Sequence, residues 1–217
     1  MVKKKREVIP PKINSDKLKH VRNLTLEDED HYKRVALVKS DLSHRITNHL
    51  IFSEVTLTQI DFIATNFNRS EWCDVIFIKC DLSNTAFEQA IFHRVEFIDC
   101  KLSGVTFTAS AFRHVTFNNC YAPLVIYGDC DFKYSAYLKS VLDESSFYNN
   151  KFSNVELIEI NINDVEIHQT SLSGIDLSKC SFEKLLVSAD DLKGCIISPE
   201  QAVPFIQALG LKVKFNQ

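Results

Sequence analysis

Cysteine is the first residue type in this sequence whose spacing could matter for chemistry. Cys80, Cys100 and Cys120 recur at intervals of twenty residues. A fold that stacks positions twenty apart would bring their α-carbons within disulfide range, or would use them as small buried thiols, and we favour the thiols. No two cysteines and no Cys–His combination have the spacing of zinc ligands. The sequence therefore predicts reduced cysteines and no metal site.

The seven histidines do not form a recognisable metal-binding motif. His93 precedes Arg94 and His114 follows Arg113, so positions twenty apart pair Arg with His in two outward columns. We interpret these columns as a local basic stripe on the surface. The sequence has no glycine-rich phosphate loop, nucleophile elbow or paired catalytic carboxylates. We therefore expect no catalytic residue and no cofactor, and a protein that is not an enzyme.

Acidic side chains are the remaining candidates for a functional surface. Residues 40–199 hold 21 Asp or Glu against 12 Lys or Arg, whereas residues 1–39 hold 6 against 11. No Lys or Arg lies between Lys151 and Lys179. The candidate partner-binding residues are Asp143, Glu144, Glu156, Glu159, Asp164, Glu166 and Asp176. Such a surface could dock where another protein grips DNA phosphates, or it could simply keep the protein soluble, and charge alone favours neither.

A period of five organises the chain that carries these residues. Of the thirty-two positions ending in 2 or 7 from Leu42 to Ile197, all but Thr47 and Ala122 are large and apolar, and they include 14 of the 16 Phe. Six of the seven Cys lie two positions earlier in the period, where side chains are small. Neither a helix of period 3.6 nor a strand of period 2 explains this pattern.

Two inward positions in every five predict a chain that turns a corner every five residues. Four sides then form a square coil of twenty residues, and coils stack at about 4.8 Å with hydrogen bonds along the stack. Each inward side chain should contact the one twenty positions away, as Phe92 and Phe112 would. The register does not slip between 40 and 199, which predicts about eight coils and no inserted loop.

Several segments of the sequence resemble the pentapeptide repeat family, whose consensus A(D/N)LXX is recognisable in KCDLSNTAF and TSLSGIDLSKCSF. LEDED at 26–30, FHRVEFIDCKLSGVTFTAS at 92–110, FNNCYA at 117–122 and SPEQAVPFIQALGLKV at 198–213 more specifically resemble the Qnr quinolone-resistance proteins. The likeness covers residues 24 to 213. It implies an all-β fold, the right-handed quadrilateral β-helix.

The resemblance also implies a function. Qnr-like proteins are dimeric rods that imitate duplex DNA and bind type II topoisomerases, so we expect DNA gyrase first and topoisomerase IV second as partners, with protection from quinolones. Direct DNA binding is not expected. Family members that protect strongly often carry projecting loops, and this sequence departs from them there. The alternative is a structural or scaffold repeat protein with an unrelated partner, because a fold does not fix a function.

The two ends of the chain differ from the repeats. Residues 1–22 predict a basic, solvated and disordered tail, and residues 23–199 the β-helix, with 24–39 as an imperfect first coil. Ser198, Pro199 and Gln201 predict a helix start. Residues 200–217 then predict a helix and a short strand, either capping a monomer or, as the resemblance favours, forming a homodimer. The candidate dimerisation residues are Ala202, Phe205, Ile206, Leu209, Leu211, Val213 and Phe215.

A cytoplasmic location without membrane contact is also expected. No stretch approaches the roughly 18 unbroken apolar residues of a membrane span. The basic N-terminus is not followed by the apolar segment of a signal peptide.

Overall fold

The computed structural model describes residues 7–208 together with Lys212 and Lys214. A short 3-10 helix, Ser15–Lys17, precedes the first strand. The strands are β1 Lys19–Val21, β2 His31–Lys33, β3 Val35–Asp41, β4 Ile46–Asn48, β5 Ile51–Asp61, β6 Asn66–Asn68, β7 Glu71–Ile78, β8 Ala86–Glu88, β9 Ile91–Ile98, β10 Thr106–Thr108, β11 Ala111–Asn118, β12 Ile126–Gly128, β13 Asp131–Leu138, β14 Ser146–Tyr148, β15 Lys151–Ile158, β16 Val165–His168 and β17 Leu185–Val187. A short helix follows, α1 Ala202–Ala208.

From β2 onward, parallel strands stack along one axis with a constant offset of twenty residues, whereas β1 pairs with β3 at an offset of sixteen. Phe52 pairs with Trp72, Trp72 with Phe92, and Phe92 with Phe112. The offset still holds at the bridge between Asp176 and Ile196. The predicted fold class, an all-β β-helix of about eight coils, is confirmed, and no loop interrupts the register between Asp41 and Ile196.

Each coil has four faces, which we number from the first coil, 41–60. Face 1 centres on Leu42, face 2 on Thr47, face 3 on Phe52 and face 4 on Leu57. Among the described residues, one sheet of nine strands spans faces 3 and 4, a second of eight covers face 2, and isolated bridges connect face 1. The corners are named by the faces that they join, such as the 1/2 corner and the 3/4 corner.

A left-handed residue forms each corner from Glu29 to Gly174. Every fifth residue from Glu29 to Gly174 has φ between +50° and +77°. On face 1 these residues occupy the third position of a type II-like turn: Thr85 N donates to Leu82 O at 3.0 Å across Ser83 and Asn84, and φ of Asn84 is +58°. This conformation turns the chain and directs the next side chain inward.

Aromatic rings fill the shaft in columns. Phe77, Phe97, Phe117 and Tyr137 stack with centroids 4.4 to 4.8 Å apart and nearly parallel planes. All four are buried. Offset stacking at this spacing matches the strand separation, so ring packing and backbone pairing favour the same repeat.

Two tyrosines place hydroxyl groups inside this apolar shaft. Tyr137 Oη donates to Tyr127 Oη at 2.6 Å, and both side chains are buried. Ala122 lies in the same coil, in a column that carries Leu102 and Leu142 in the coils on either side. Its small side chain offsets the volume that the two hydroxyls add, which explains this exception to the large inward residues.

The N-terminal segment contacts the shaft. Over residues 7–21 the backbone is tied to it: Ile9 N donates to His114 Nδ1 at 3.2 Å, Lys12 N donates to Asp74 Oδ1 at 2.7 Å, and β1 pairs with β3. We call residues 7–18 the strap. Asp74 and His114 are two coils apart at the 3/4 corner, about 9.6 Å. Three residues of polyproline II span about 9.3 Å, so Pro10–Pro11 sets a matching length.

The C-terminal end closes the last coil. The amide Nε2 of Gln201 donates to Leu177 O and Cys180 O, both at 2.8 Å, while its Oε1 accepts from Ser198 N at 2.9 Å. This is the predicted capping contact. Helix α1 begins at Ala202 rather than at Pro199, the predicted first helical residue, because Gln201 N and Ala202 N donate to the carbonyls three residues back and form turns. The predicted strand residues Leu211, Val213 and Phe215 lie outside the described residues.

The tyrosine pair makes a testable energetic prediction. Tyr127→Phe or Tyr137→Phe alone leaves one buried hydroxyl without its partner, which should cost about 1–3 kcal/mol of unfolding free energy. The double substitution removes both hydroxyls and should cost less than either single one. Urea unfolding of the four proteins measures this cycle. Additive losses would show that the two hydroxyls do not depend on each other.

The strap should loosen as pH falls. Burial, and then the charge of Arg94, lower the pKa of His114 below its ordinary 6.5. Neutral His114 accepts from Ile9 N, and a protonated Nδ1 cannot. The strap contact is therefore complete above pH 6.5 and is lost as pH falls through the lower pKa of the folded state. Hydrogen exchange of the Ile9 amide, corrected for its intrinsic rate, should accelerate in that interval.

His114→Asn is the matched control for the strap. Asn keeps an acceptor oxygen, does not titrate, and tolerates the left-handed backbone at this position, where φ is +57°. Its Ile9 amide should stay protected from pH 8 to pH 5. Equal loss of protection in both proteins would exclude His114 as the titrating group.

Candidate partner-binding surface

The seven acidic candidates do not lie on one face. Asp143 is on face 1, Glu144 and Asp164 form the 1/2 corner, and Glu166 is on face 2. Glu156 and Asp176 are on face 4, and Glu159 forms the 4/1 corner. The acidic side chains near the C-terminal end of the shaft therefore lie on faces 1, 2 and 4, and we call this part of the shaft the acidic end.

Hydrogen bonds orient the carboxylates near the 1/2 corner. Asp143 Oδ2 accepts from Asn161 Nδ2 at 3.2 Å and its Oδ1 from Asn163 N at 3.1 Å. Asp164 Oδ2 accepts from Asn163 Nδ2 at 2.8 Å, and its Oδ1 lies 3.2 Å from Lys184 Nζ. The hydrogen-bond partners of Asp143 are therefore neutral, whereas Lys184 offsets part of the negative charge of Asp164.

The remaining candidates have different surroundings. Asp176 Oδ1 accepts from Ser178 N at 2.9 Å, as a turn aspartate does. Glu166 Oε2 lies 3.8 Å from His168 Nε2, so a charged pair forms there only when the histidine is protonated. Glu159 is exposed at its corner. Exposed, separated carboxylates of this kind act together through their summed field.

The basic stripe is present and is partly neutralised. Cys73, His93, Arg113 and Lys133 follow one another in a column on face 3. At the neighbouring 3/4 corner, Arg94 Nε donates to Asp74 Oδ1 at 2.6 Å. Burial alone would raise the pKa of Asp74, but the hydrogen bonds from Arg94 and Lys12 N outweigh it and hold that pKa below its ordinary value. The strap covers this charged cluster.

All seven cysteines are free thiols, as predicted. Cys80, Cys100 and Cys120 are buried, and Cys120 Sγ donates to Phe97 O at 3.4 Å. A hydrogen bond involving Cys120, together with burial, raises the pKa of Cys100 to about 12. A thiol held in this protonated form is a poor nucleophile.

The interior offers no room for a substrate near the acidic end. The cavity there is apolar, has a volume of about 30 Å³, and is bordered by Tyr137, Phe147, Leu157 and Ile162. Across the described residues, no group of three or more His, Cys, Asp or Glu could hold a metal ion. The same part of the chain contains no helix that is long and apolar enough to cross a membrane.

The candidate dimerisation residues are divided between two environments. Phe205 is buried and contacts Phe182 of its own chain with ring centroids 5.4 Å apart, so it caps the last coil. Ala202 is half-buried, and Ile206 is exposed. Leu209, Leu211, Val213 and Phe215 lie outside the described residues. Dimerisation through this end stays a prediction.

Four exposed apolar side chains on face 1, at the 1/2 corner and on face 2 were missed. Tyr121, Leu124, Ile126 and Tyr148 are each about half exposed. We call these four residues the corner patch. The signal was present in the sequence, because Pro123, Leu124 and Ile126 interrupt the polar residues that otherwise occupy outward positions.

Comparison with known proteins supports the repeat assignment. Residues 70–147 match the family model of the pentapeptide repeat region. HetL, a pentapeptide repeat protein involved in heterocyst differentiation regulation from the cyanobacterium Nostoc sp. strain PCC 7120, is 13% identical and superimposes with a TM-score of 0.61, over 81% of this chain and 87% of HetL. No curated protein sequence matches the chain.

A second solved structure shares the fold. It is a trypsin-treated variant of QnrB1, a plasmid-mediated fluoroquinolone resistance protein, which is 15% identical with a TM-score of 0.52, over 87% of this chain and all of the QnrB1 chain. Identities this low show a common fold. Residues 70–147 thus match a pentapeptide repeat region, and the same twenty-residue register continues on either side of them, from Asp41 to Ile196.

Proposed function

We propose that this protein is a DNA mimic that binds a type II topoisomerase, DNA gyrase first and topoisomerase IV second, and protects it from quinolones. The observation that carries the proposal is the fold shared with QnrB1 over 87% of the chain. Its partner surface is the acidic end of the shaft. A reducing compartment such as the cytoplasm suits its seven free thiols.

The distribution of acid around the shaft supports mimicry. Duplex DNA carries negative charge on all sides, one charge per about 1.7 Å of axis. Eight coils at about 4.8 Å give a rod of about 38 Å, and acidic side chains occupy three of its faces near one end. A DNA-binding protein contacts a duplex from several sides with Lys and Arg side chains. Acidic residues on a single face of the rod would pair with fewer of those basic side chains.

A homodimer formed through the C-terminal end would double the length of the rod. Ile206 projects from helix α1 and is 37% exposed, whereas Phe205 is used within its own chain. A homodimer through residues 200–217 would cover Ile206. It would place two acidic ends side by side, which lengthens the DNA-like surface.

A second candidate function follows from HetL, which superimposes with a TM-score of 0.61 and is involved in regulating differentiation. In this alternative, the shaft is a scaffold whose partner is unrelated to topoisomerases. The two candidates differ in a direct binding measurement. Gyrase would bind the immobilised protein in the first and would not bind it in the second.

Supercoiling by gyrase tests the first candidate. Purified protein at micromolar concentration should alter gyrase supercoiling and should restore it in the presence of a fluoroquinolone. The physical reason is competition, because protein and DNA would occupy the same basic groove. No effect on either reaction, with a folded protein confirmed by circular dichroism, would refute the proposal.

Charge reversal tests which part of the surface is used. Glu159→Lys together with Glu166→Lys should weaken gyrase binding about tenfold or more at low salt, since two exposed acids become basic. Glu71→Lys together with Glu88→Lys is the matched control. Those two glutamates are also exposed but lie in the N-terminal half, and the change in net charge is the same. Equal losses in both variants would show that only overall charge matters.

A further inference from the structure

The corner patch combines three features that folding does not require. Leu124 has φ of +60° and is 54% exposed. It is the only branched aliphatic residue among the left-handed corners between Glu29 and Gly174; most of the others are polar or charged. A leucine that is more than half exposed gains little burial to offset the strain of the left-handed backbone, about 1–2 kcal/mol. A residue that strains the backbone and adds little to stability indicates a function.

The turn beneath Leu124 is rebuilt to present it. In two other coils an aspartate on face 1 accepts from the backbone N–H two residues later: Asp41 Oδ1 from Ser43 N at 2.9 Å, and Asp81 Oδ1 from Ser83 N at 3.0 Å. At the equivalent positions here, Tyr121 replaces the acceptor and Pro123 removes the donor. The acceptor and the donor of this hydrogen bond are both absent, so neither group is left without a hydrogen-bond partner. Proline at the second turn position also restricts the backbone, which makes the corner rigid.

Around the corner, on face 2, the patch contains a notch. Gly128 pairs with Tyr148 in the next coil, and Ile126 points outward two residues before the glycine. A β-carbon added at Gly128 would have Thr108 Cγ2 as its nearest neighbour, at 3.9 Å. Ile126 and Tyr148 therefore flank a gap large enough to receive part of an inserted side chain.

Acidic residues border the patch toward the C-terminal end. Glu144 follows Leu124 at the 1/2 corner, and Leu124 N donates to Asp143 O at 3.0 Å, so both acids lie one coil away. Glu166 pairs with Ser146, one coil beyond Ile126. An apolar centre with a charged rim is the arrangement of a protein–protein hot spot. The rim would repel phosphate and attract Lys or Arg.

The size of the patch also limits its occupant. Four large side chains of roughly 200 Å² each, about half exposed, present on the order of 400 Å². A standard interface needs about 800 Å² from each partner. The patch is therefore too small for the whole seam of a dimer and suits a single anchor within a larger contact.

We propose that the corner patch anchors a segment of the partner protein that carries an aromatic or aliphatic side chain next to Lys or Arg, with that side chain entering the notch at Gly128. This inference rests on the proposed function, in which the partner is a type II topoisomerase. The acidic end then supplies attraction and the corner patch supplies the short-range anchor.

Two variants test the anchor with gyrase holoenzyme as the probe. Leu124→Asn combined with Ile126→Thr makes the patch polar, with residues suited to a left-handed corner and a strand. Gly128→Thr fills the notch with the residue that the same column already carries at Thr108. Each should weaken binding at least tenfold while the salt dependence of binding stays that of the native protein. Ile46→Thr is the control, since Ile46 shares the column of Ile126, is 82% exposed and lies four coils away.

The outcomes separate the anchor from the function. If both patch variants bind gyrase as well as the native protein does, with unchanged thermal unfolding, the anchor proposal is refuted and the proposed function stands. If the native protein does not bind gyrase, the proposed function and the anchor both fall. If sedimentation shows that the patch variants lose self-association, the patch belongs to a second copy of this chain, which also overturns the anchor.

Discussion

The left-handed corner is the constraint on which the rest of the structure depends. Every fifth residue from Glu29 to Gly174 adopts it, although only Gly104 and Gly174 are glycines there. Each non-glycine corner costs about 1–2 kcal/mol. Ladder hydrogen bonds at a constant offset of twenty and buried rings such as Phe92 and Phe112 offset that cost, and they do so only if no corner is skipped. The unbroken register is thus an energetic requirement, and it fixes where every outward side chain lies.

The period of five could be read from the sequence because inward positions are selected by volume. Phenylalanine recurs where the shaft is wide, and Cys80, Cys100 and Cys120 where it is narrow. Even the exception at Ala122 follows this rule once Tyr127 and Tyr137 are seen to share a hydrogen bond across the shaft. The pairing of those hydroxyls could not be predicted, since each residue alone looks like one more large side chain.

The surface was less predictable, because neighbours along the chain are not neighbours around the shaft. Glu156, Glu159 and Asp164 form one acidic run in the sequence, yet they lie on face 4, at the 4/1 corner and at the 1/2 corner. The strap was missed for a related reason. Its contacts, from Ile9 to His114 and from Lys12 to Asp74, join residues 105 and 62 positions apart. The one signal in the sequence is Pro10–Pro11, because an extended segment from Ile9 to Lys12 has the length of two coils.

A uniform shaft makes departures from its pattern informative about function. The strap occupies the 3/4 corner, which is diagonally opposite the 1/2 corner that carries Leu124 and Glu144. A partner approaching the 1/2 corner would find acid on the adjoining faces and no strap in its way. Charge would act over a distance set by salt, whereas the apolar anchor acts only on contact. The two corners therefore differ in what covers them. The strap covers the 3/4 corner, whereas the 1/2 corner exposes the strained Leu124 to a partner protein.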